Sequence, residues 1–233
     1  MSMECLAIIP ARSGSKGIPH KNLKTVDGVP LVVRSVRSAL SASHITRTVV
    51  STDDKEIAQV AREAGAEIVM RPETLSGDEV PTEPALLHVL EILAAEGGYR
   101  PDLTCFIQCT SPLTTSDDLD QGIAALRAQK ADCLVTVVPT YDFLWRRRAG
   151  GVAQAINHDA NLIRKGRQEM EPQYRETGAF YVLRTEGFIA ARNRFFGRIV
   201  LFEMSPEKSV DVDGPLDLEL AEFLGARNVR HSE

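Results

Sequence analysis

The sequence has few cysteines and no long apolar run, and each lack argues against a class of protein. Its 233 residues include 4 cysteines, and none of them forms the Cys-x-x-Cys pair that commonly binds zinc or carries redox chemistry. No apolar stretch reaches the ~20 residues of a membrane-spanning helix. The N-terminus also lacks the basic segment and apolar core of a signal peptide. We therefore expect a cytoplasmic protein without a membrane partner, whose cysteines are buried free thiols.

Positive charge is also scarce over the chain as a whole. Lysine and arginine number 27 against 32 aspartates and glutamates, which gives a net charge of −5. Proteins that bind nucleic acid without specificity present a basic surface, so we expect no nucleic-acid partner. An anionic ligand would have to be attracted by a local basic cluster.

Such a cluster lies near the N-terminus, in residues 8–22, IIPARSGSKGIPHKN. The segment follows a short apolar run, residues 5–9, and no acidic residue occurs between Glu4 and Asp27. The basic residues of the cluster and its surroundings are Arg12, Lys16, Lys21 and Lys24. We interpret the segment as a glycine-containing loop at the carboxyl end of a first strand, where open parallel sheets bind ligands. Glycines let the backbone approach an oligophosphate, and lysines neutralise its charge.

The loop matches neither of the two common phosphate-binding motifs. A Walker A motif requires four residues between its first glycine and Gly-Lys-Ser/Thr, and the dinucleotide motif requires GxGxxG. On glycine content and charge alone, an ordinary solvated turn between a strand and a helix is the alternative.

Strand-like apolar runs alternate with helical periods over the first 138 residues. The predicted strands are residues 5–9, 47–51, 66–70, 103–107 and 133–138, with 178–183 and 198–203 following later. This alternation predicts an α/β fold, a single Rossmann-like domain with a mostly parallel central sheet. A last helix is predicted from Pro215, with a buried face formed by Leu216, Leu220, Phe223 and Leu224.

Residues 139–175 interrupt the alternation. Arginines are dense there, and Tyr141, Phe143 and Trp145 alternate as in a two-faced strand. We interpret the segment as an extended arm, because so long a stretch without its own core is functional or covered by a partner. A surface insertion is the alternative, and the aromatic alternation favours an interface.

Three further segments carry groups suited to a charged, hydroxylated ligand. Asp211 and Asp213 are two apart, so in an extended segment both project to one side and can hold a divalent ion such as magnesium. The alternative is an acidic helix cap, which Asp213 alone would supply.

QCTSPLTT, residues 108–115, offers hydroxyls and an amide, although a Ser-Pro turn would look the same. Arg167 is suited to binding a carboxylate through two hydrogen bonds.

The run PARSGSKGIPHKN strongly resembles the N-terminal loop of the acylneuraminate cytidylyltransferase (CMP-sialic acid synthetase) family. The resemblance extends in the same order from Ile8 to about Leu220. It implies one cytidylyltransferase domain over residues 1–233, a nucleotidyltransferase that couples CTP to a nonulosonic acid to give the CMP-sugar and pyrophosphate. Some members carry a further C-terminal phosphatase domain, for which we expect no room here.

The resemblance also implies roles for individual residues. Arg12, Lys16 and Lys21 would face the triphosphate, and Asn22 with the backbone near Ala11 would lie by the ribose and cytosine. Asp211 and Asp213 would hold the catalytic Mg²⁺, and Asp211 would take the proton. The remaining ligand-side positions are Arg71, Thr82, Gln108, Arg167 and Gln168. Thr114 and Thr177 depart from the family, where arginine and asparagine are common, and we expect a structural role for Ser51-Thr52-Asp53.

In that family the segment matching residues 139–175 reaches across a dimer, so we expect a homodimer or a dimer of dimers. Three rival functions remain. A 3-deoxy-manno-octulosonate cytidylyltransferase usually lacks the GSKG run. A metal-dependent glycosyltransferase usually carries its DxD motif in mid-chain. A regulatory nucleotide-binding module would not turn CTP over. The sequence does not identify the nonulosonic acid.

Overall fold

The computed structural model describes residues 3–14, 17–77, 79–164 and 166–230. The described strands are β1 (Cys5–Pro10), β2 (Thr25–Val26), β3 (Val29–Pro30), β4 (Arg47–Thr52), β5 (Glu67–Met70), β6 (Leu103–Ile107), β7 (Cys133–Thr140), β8 (Trp145–Arg147), β9 (Ala153–Ala155), β10 (Gln173–Arg184) and β11 (Ile199–Glu203). The helices are α1 (Leu31–Ser41), α2 (Lys55–Glu63), α3 (Glu83–Gly97), α4 (Ser116–Ala128), α5 (Thr185–Ala191) and α6 (Pro215–Arg230).

Seven strands form one sheet in the order β11-β7-β10-β6-β1-β4-β5. All neighbouring strands are parallel except β10, which runs antiparallel to both β6 and β7. The predicted α/β class with a mostly parallel sheet is therefore confirmed. The carboxyl ends of β1, β4, β5 and β6 meet at one edge, so the residues that follow these strands are brought together there.

Side chains of β1 show how the sheet is covered on both faces. Cys5, Ala7 and Ile9 belong to one buried cluster with residues of α1, α2 and α4, whereas Leu6 and Ile8 belong to a second cluster with residues of α3. Helices on both faces explain why β1 is apolar throughout instead of alternating. The four cysteines are buried and free, and burial raises the pKa of the Cys5 thiol to about 12. No helix in the described ranges has the length and apolar character needed to cross a membrane.

Ser116 is the cap that the sequence predicts for α4, and the structure moves this role by one residue. The first helical residue of α4 is Ser116, but its cap is Thr115, whose hydroxyl oxygen accepts from Asp118 N while the Asp118 carboxylate accepts from Thr115 N. A capping box of this kind satisfies two backbone donors at once. The 7-residue helix α5 was not predicted, because the segment was too short for its helical period to stand out.

The buried face of α6 also differs from the prediction. Leu216, Leu220 and Phe223 are exposed, and Ala221 is buried in their place. The reason is that α6 lies close against β2: a side chain at Gly225 would come within 2.5 Å of the Asp27 carboxylate. Leu224, the fourth residue of the predicted face, is half-buried and packs with Leu218 against the core, so the inward face is formed by Leu218, Ala221 and Leu224.

The segment of residues 139–175 joins β7 to β10, and its two ends are paired with each other in the sheet. Between them, β8 and β9 form a small separate hairpin. Phe143 and Trp145 both contact the ring of His158 edge-on at 4.9 Å. Leu162 and Ile163 are exposed, at 68% and 96%. This segment, residues 139–175, is called the arm below.

The start of α2 gives a prediction about stability. Asp54 is the N-cap of α2, and its carboxylate accepts from Glu56 N at 2.7 Å and from Ile57 N at 3.0 Å. Asp54→Ala leaves both donors without this partner and is expected to lower the free energy of unfolding by about 1 kcal/mol. Urea denaturation followed by circular dichroism measures this change. An unchanged midpoint would mean that the cap contributes nothing.

Candidate active site

A cleft of about 360 Å³ lies at the carboxyl edge of the sheet. Eight residues predicted from the sequence line it: Arg12, Lys21, Asn22, Arg71, Thr82, Gln108, Asp211 and Asp213. Ala11 lies behind the wall, fully buried, and its N donates to Ser51 O. Lys16 lies outside the described residues.

The glycine loop is attached to the neighbouring strand end at its start. Ser13 N donates to Asp53 Oδ1 at 2.9 Å, and Ser13 Oγ donates to Asp53 Oδ2 at 2.6 Å. Further along, buried Asn22 donates from Nδ2 to Arg12 O at 3.0 Å. These bonds hold the first part of the loop over the ends of β1 and β4.

The loop also meets the segment that carries the two carboxylates. A Cβ at Gly17 would lie 2.0 Å from Asp213 O, so only glycine permits this approach of the two backbones. Lys21 Nζ donates to Val212 O at 2.8 Å and to Asp213 Oδ1 at 3.0 Å. The cationic loop and the carboxylate segment therefore lie side by side along one wall of the cleft.

Asp211 and Asp213 differ in environment although both line the cleft. Asp211 Oδ1 is buried without a hydrogen-bond partner. Burial raises the pKa of Asp211, and the negative charge of Asp213 adds to the increase. The Asp213 side chain is 78% exposed and ion-paired with Lys21. Val212 between them is fully buried, so the alternation predicted for an extended segment is present.

Two carboxylates do not complete a metal site by themselves. In the part of the chain that the structure describes, no group of three or more His, Cys, Asp or Glu side chains could hold a metal ion. Magnesium, however, usually takes one or two protein carboxylates and fills its remaining positions with water and substrate phosphates. The unpartnered Asp211 oxygen beside a second carboxylate fits that donor set.

Arg71 and Gln108 supply further polar groups of the cleft. The Arg71 side chain is 5% exposed, and its Nε and Nη2 have no hydrogen-bond partner. Desolvation lowers the pKa of Arg71. Gln108 Nε2 donates to Gly178 O at 2.6 Å, and Gly178 has a φ of 73° within an irregularity of β10. This left-handed backbone favours glycine and directs the carbonyl toward Gln108.

The two positions that depart from the resembling family do not line the cleft. The Thr177 hydroxyl donates to Thr136 Oγ1 at 2.8 Å, and the side chain is buried. Thr114 is buried too, and its carbonyl accepts from Ser38 Oγ. Both threonines contribute to packing within this chain.

Arg167 and Gln168 lie apart from the cleft. The Arg167 guanidinium stacks over the Tyr141 ring at 4.3 Å and lines a separate hollow of about 470 Å³ beside the arm. Gln168 is exposed. One chain by itself therefore does not bring these two residues to the other predicted site residues.

Sequence reasoning missed the connection that Asp53 makes. The sequence offers Asp53 or Asp54 as the cap of α2, and the structure has Asp54 in that place, while the Asp53 carboxylate accepts from Ser13 of the loop. The signal was available in the strand order, because Asp53 follows β4 and the loop follows its parallel neighbour β1. Phe106, an apolar residue of β6, also lines the cleft and was not singled out.

Curated proteins of known activity are similar in sequence to nearly the whole chain. N-acylneuraminate cytidylyltransferase A of Danio rerio is 34% identical over 218 residues, which cover 93% of this chain and 49% of that protein. N-acylneuraminate cytidylyltransferase of Escherichia coli is 26% identical, covering 95% of this chain and 52% of that protein. Pseudaminic acid cytidylyltransferase of Campylobacter jejuni is 28% identical, covering 95% and 96%. The chain thus spans about half the length of the N-acylneuraminate relatives.

Two solved structures share the fold. A CMP:2-keto-3-deoxy-manno-octonic acid synthetase complexed with CTP matches 97% of this chain with a TM-score of 0.72 and 18% identity. A 4-diphosphocytidyl-2C-methyl-D-erythritol synthase from Anaerococcus prevotii matches 97% with a TM-score of 0.69 and 12% identity. The family model described as cytidylyltransferase matches residues 6–229. Because that match spans nearly the whole chain, the protein belongs to the cytidylyltransferase family.

Proposed function

We propose that this protein joins CTP to a nonulosonic acid, giving a CMP-sugar and pyrophosphate. The observation that carries the proposal is the cleft that Arg12 and Lys21 line together with the carboxylates Asp211 and Asp213. A cleft with cations for a triphosphate and carboxylates for its divalent counter-ion suits nucleotidyl transfer. The names of the relatives support a sugar acid of the sialic or pseudaminic type as the second substrate.

In the proposed reaction, the anomeric hydroxyl of the sugar acid attacks the α-phosphorus of CTP in line. A P–O bond forms to the sugar, the bond to the β-phosphate oxygen breaks, and pyrophosphate leaves. Asp211 takes the hydroxyl proton, while Arg12, Lys21 and, from the sequence, Lys16 neutralise the departing pyrophosphate. Positioning and charge neutralisation supply most of the rate enhancement in such transfers.

The remaining cleft residues hold the two substrates. Asn22 and the backbone near Ala11 lie by the ribose and cytosine, and Arg71 and Thr82 also contact ligand. Gln108 binds the sugar acid. Asp211 and Asp213 would hold a magnesium ion, which would neutralise phosphate charge and lower the pKa of the attacking hydroxyl.

The arm completes the site from a second copy of the chain. Arg167 lies outside the cleft of its own chain, although its guanidinium is suited to the sugar-acid carboxylate. A hairpin as small as β8–β9 is marginal in water and is stabilised by packing against another surface. We infer a homodimer, or a dimer of dimers, in which Arg167 and Gln168 of each arm serve the neighbouring cleft.

The reaction takes place in the cytoplasm, where CTP is available.

Pyrophosphate release with matched substrates tests the proposed function. The protein is incubated with Mg²⁺ and CTP, UTP or ATP, each with and without N-acetylneuraminate, its deaminated form, legionaminic acid, pseudaminic acid or 3-deoxy-manno-octulosonate. We expect release that requires CTP and one of the nine-carbon acids. Equal turnover with UTP would contradict the base preference, and release only with the eight-carbon acid would favour the rival cytidylyltransferase. Binding of CTP without turnover on any acid would favour a regulatory module.

A further inference from the structure

We propose that Asp53 is a positioning residue that fastens the glycine loop to Arg71, so that both are held in place for CTP. The inference rests on the proposed function, because it concerns how the cleft is prepared for the nucleotide. Asp53 does not line the cleft and therefore acts through the two groups that it holds.

The contact with the loop uses both carboxylate oxygens of Asp53. Oδ1 accepts from Ser13 N at 2.9 Å, and Oδ2 accepts from Ser13 Oγ at 2.6 Å. The Asp53 side chain is 19% exposed, so these bonds are partly shielded from water. Hydrogen bonds to a charged acceptor are the stronger class, and two from one residue also fix its orientation. Ser13 is next to Arg12, which lines the cleft.

The contact with Arg71 is electrostatic. Arg71 Nη2 lies 3.9 Å from Asp53 Oδ1, and Arg71 Nε and Nη2 make no hydrogen bond. Desolvation is the main cause that lowers the pKa of Arg71, and the positive charge of Arg12 lowers it further. Two arginines that face the same cleft repel each other, and Asp53 offsets that repulsion at close range. Asp53 does so without hydrogen-bonding those two buried nitrogens, so their hydrogen-bonding capacity is unused.

The Asp53 carboxylate is ionised when it makes these contacts with Ser13 and Arg71. Burial tends to raise the pKa of Asp53, but the hydrogen bonds from Ser13 and the charge of Arg71 outweigh burial, and the net result is a lowered pKa. The attachment is therefore present throughout the neutral range.

The consequence is a cleft whose cationic groups are arranged before CTP arrives. At its far end the loop is held by Gly17 and Lys21 against Asp213, and at its near end by Asp53. A ligand that binds a preorganised site does not have to order the loop, and its affinity rises accordingly. Removing Asp53 releases the near end of the loop and takes away the carboxylate that lies beside Arg71.

The test is the affinity for CTP measured by calorimetry without a sugar acid, in wild type, Asp53→Ala, Ser13→Ala and the double variant. We expect Asp53→Ala to weaken CTP binding about tenfold, the effect of losing a charged hydrogen bond. Ser13→Ala keeps its backbone N–H bond to Asp53, so a smaller loss of about threefold is expected. The double variant should bind no more weakly than Asp53→Ala, because both changes act through one attachment.

Asp54→Ala is the matched control, since Asp54 is the neighbouring acid and caps α2 without contacting the loop. It should lower the Tm and leave CTP affinity unchanged. The KM for the sugar acid should change less than twofold in Asp53→Ala. If Asp53→Ala does not fold, the Ser13→Ala affinity decides.

The possible failures are distinguishable. Wild-type protein that binds no CTP would overturn the proposed function together with this inference. Wild-type protein that binds CTP, with Asp53→Ala or a folded Ser13→Ala binding equally well, would overturn the inference alone. An equal weakening in Asp54→Ala would also overturn it, because the effect would then be general loss of structure.

Discussion

Asp211→Asn is expected to lower kcat at least ~100-fold, the scale for losing a group that acts on transition-state charge. Asp211 Oδ1 is buried in the cleft without a partner, and the variant loses the charge that would hold magnesium and accept the proton. Asp213→Asn is expected to have a loss of the same order, since it removes the second carboxylate. The backbone there stays supported, because the Asp217 carboxylate accepts from Asp213 N and Gly214 N.

The same Asp211→Asn change should not destabilise the fold. Burial raises the pKa of Asp211 above its unfolded value, so the ionised carboxylate at neutral pH costs the folded state stability. Asparagine has nearly the same shape and no charge, so we expect a Tm equal to or above that of wild type. Glu219→Gln is the control: it removes an exposed negative charge of α6 that does not line the cleft, and it should keep kcat close to normal. Near-normal turnover of Asp211→Asn at saturating Mg²⁺ would contradict the metal assignment.

Mixing two inactive variants should restore activity if the arm serves the neighbouring subunit. We expect Asp211→Asn and Arg167→Ala each to be severely impaired as homodimers. In a mixed dimer, one cleft combines an unmutated Asp211 with an unmutated Arg167 from the partner, and the other cleft lacks both. Purified mixed dimers should therefore reach about half of wild-type activity, since one of two symmetric sites is intact.

Differently tagged subunits allow the mixed dimers to be isolated and assayed. Each variant mixed with its own tagged copy serves as the control and should stay inactive. Proven mixed dimers without recovered activity would mean that Arg167 acts in its own chain or not at all. Light scattering that finds a monomer at micromolar concentration would reject the shared site.

The local features of the fold could be predicted because they depend on short stretches of sequence. The run over residues 103–107 is apolar except for Thr104, and it forms β6 with those bounds. The position of β10 between β6 and β7 depends on pairing between residues about 30 to 80 apart, for which no short stretch carries a signal. The exposed face of α6 was mispredicted for a related reason: its orientation is set by contact with Asp27, far away in the sequence.

The site residues that could be predicted are those whose chemistry shows at a strand end. Arg12 and Gln108 follow β1 and β6, so the parallel sheet brings them to one edge. Asp53 also follows a strand, but its effect passes through Ser13, and residue type alone does not reveal such a relay. Arg167 could be proposed as a ligand residue from the sequence, whereas its distance from the cleft appears only in three dimensions.

The most direct test of the central claim is ³¹P NMR of the reaction mixture. The protein is incubated with CTP, Mg²⁺ and the nonulosonic acid that gives the fastest pyrophosphate release. We predict that the three CTP resonances decline together while one phosphodiester resonance and pyrophosphate appear in equal amounts, as attack on the α-phosphorus requires. Formation of CDP and inorganic phosphate, or unchanged CTP with every acid in the panel, would contradict the account.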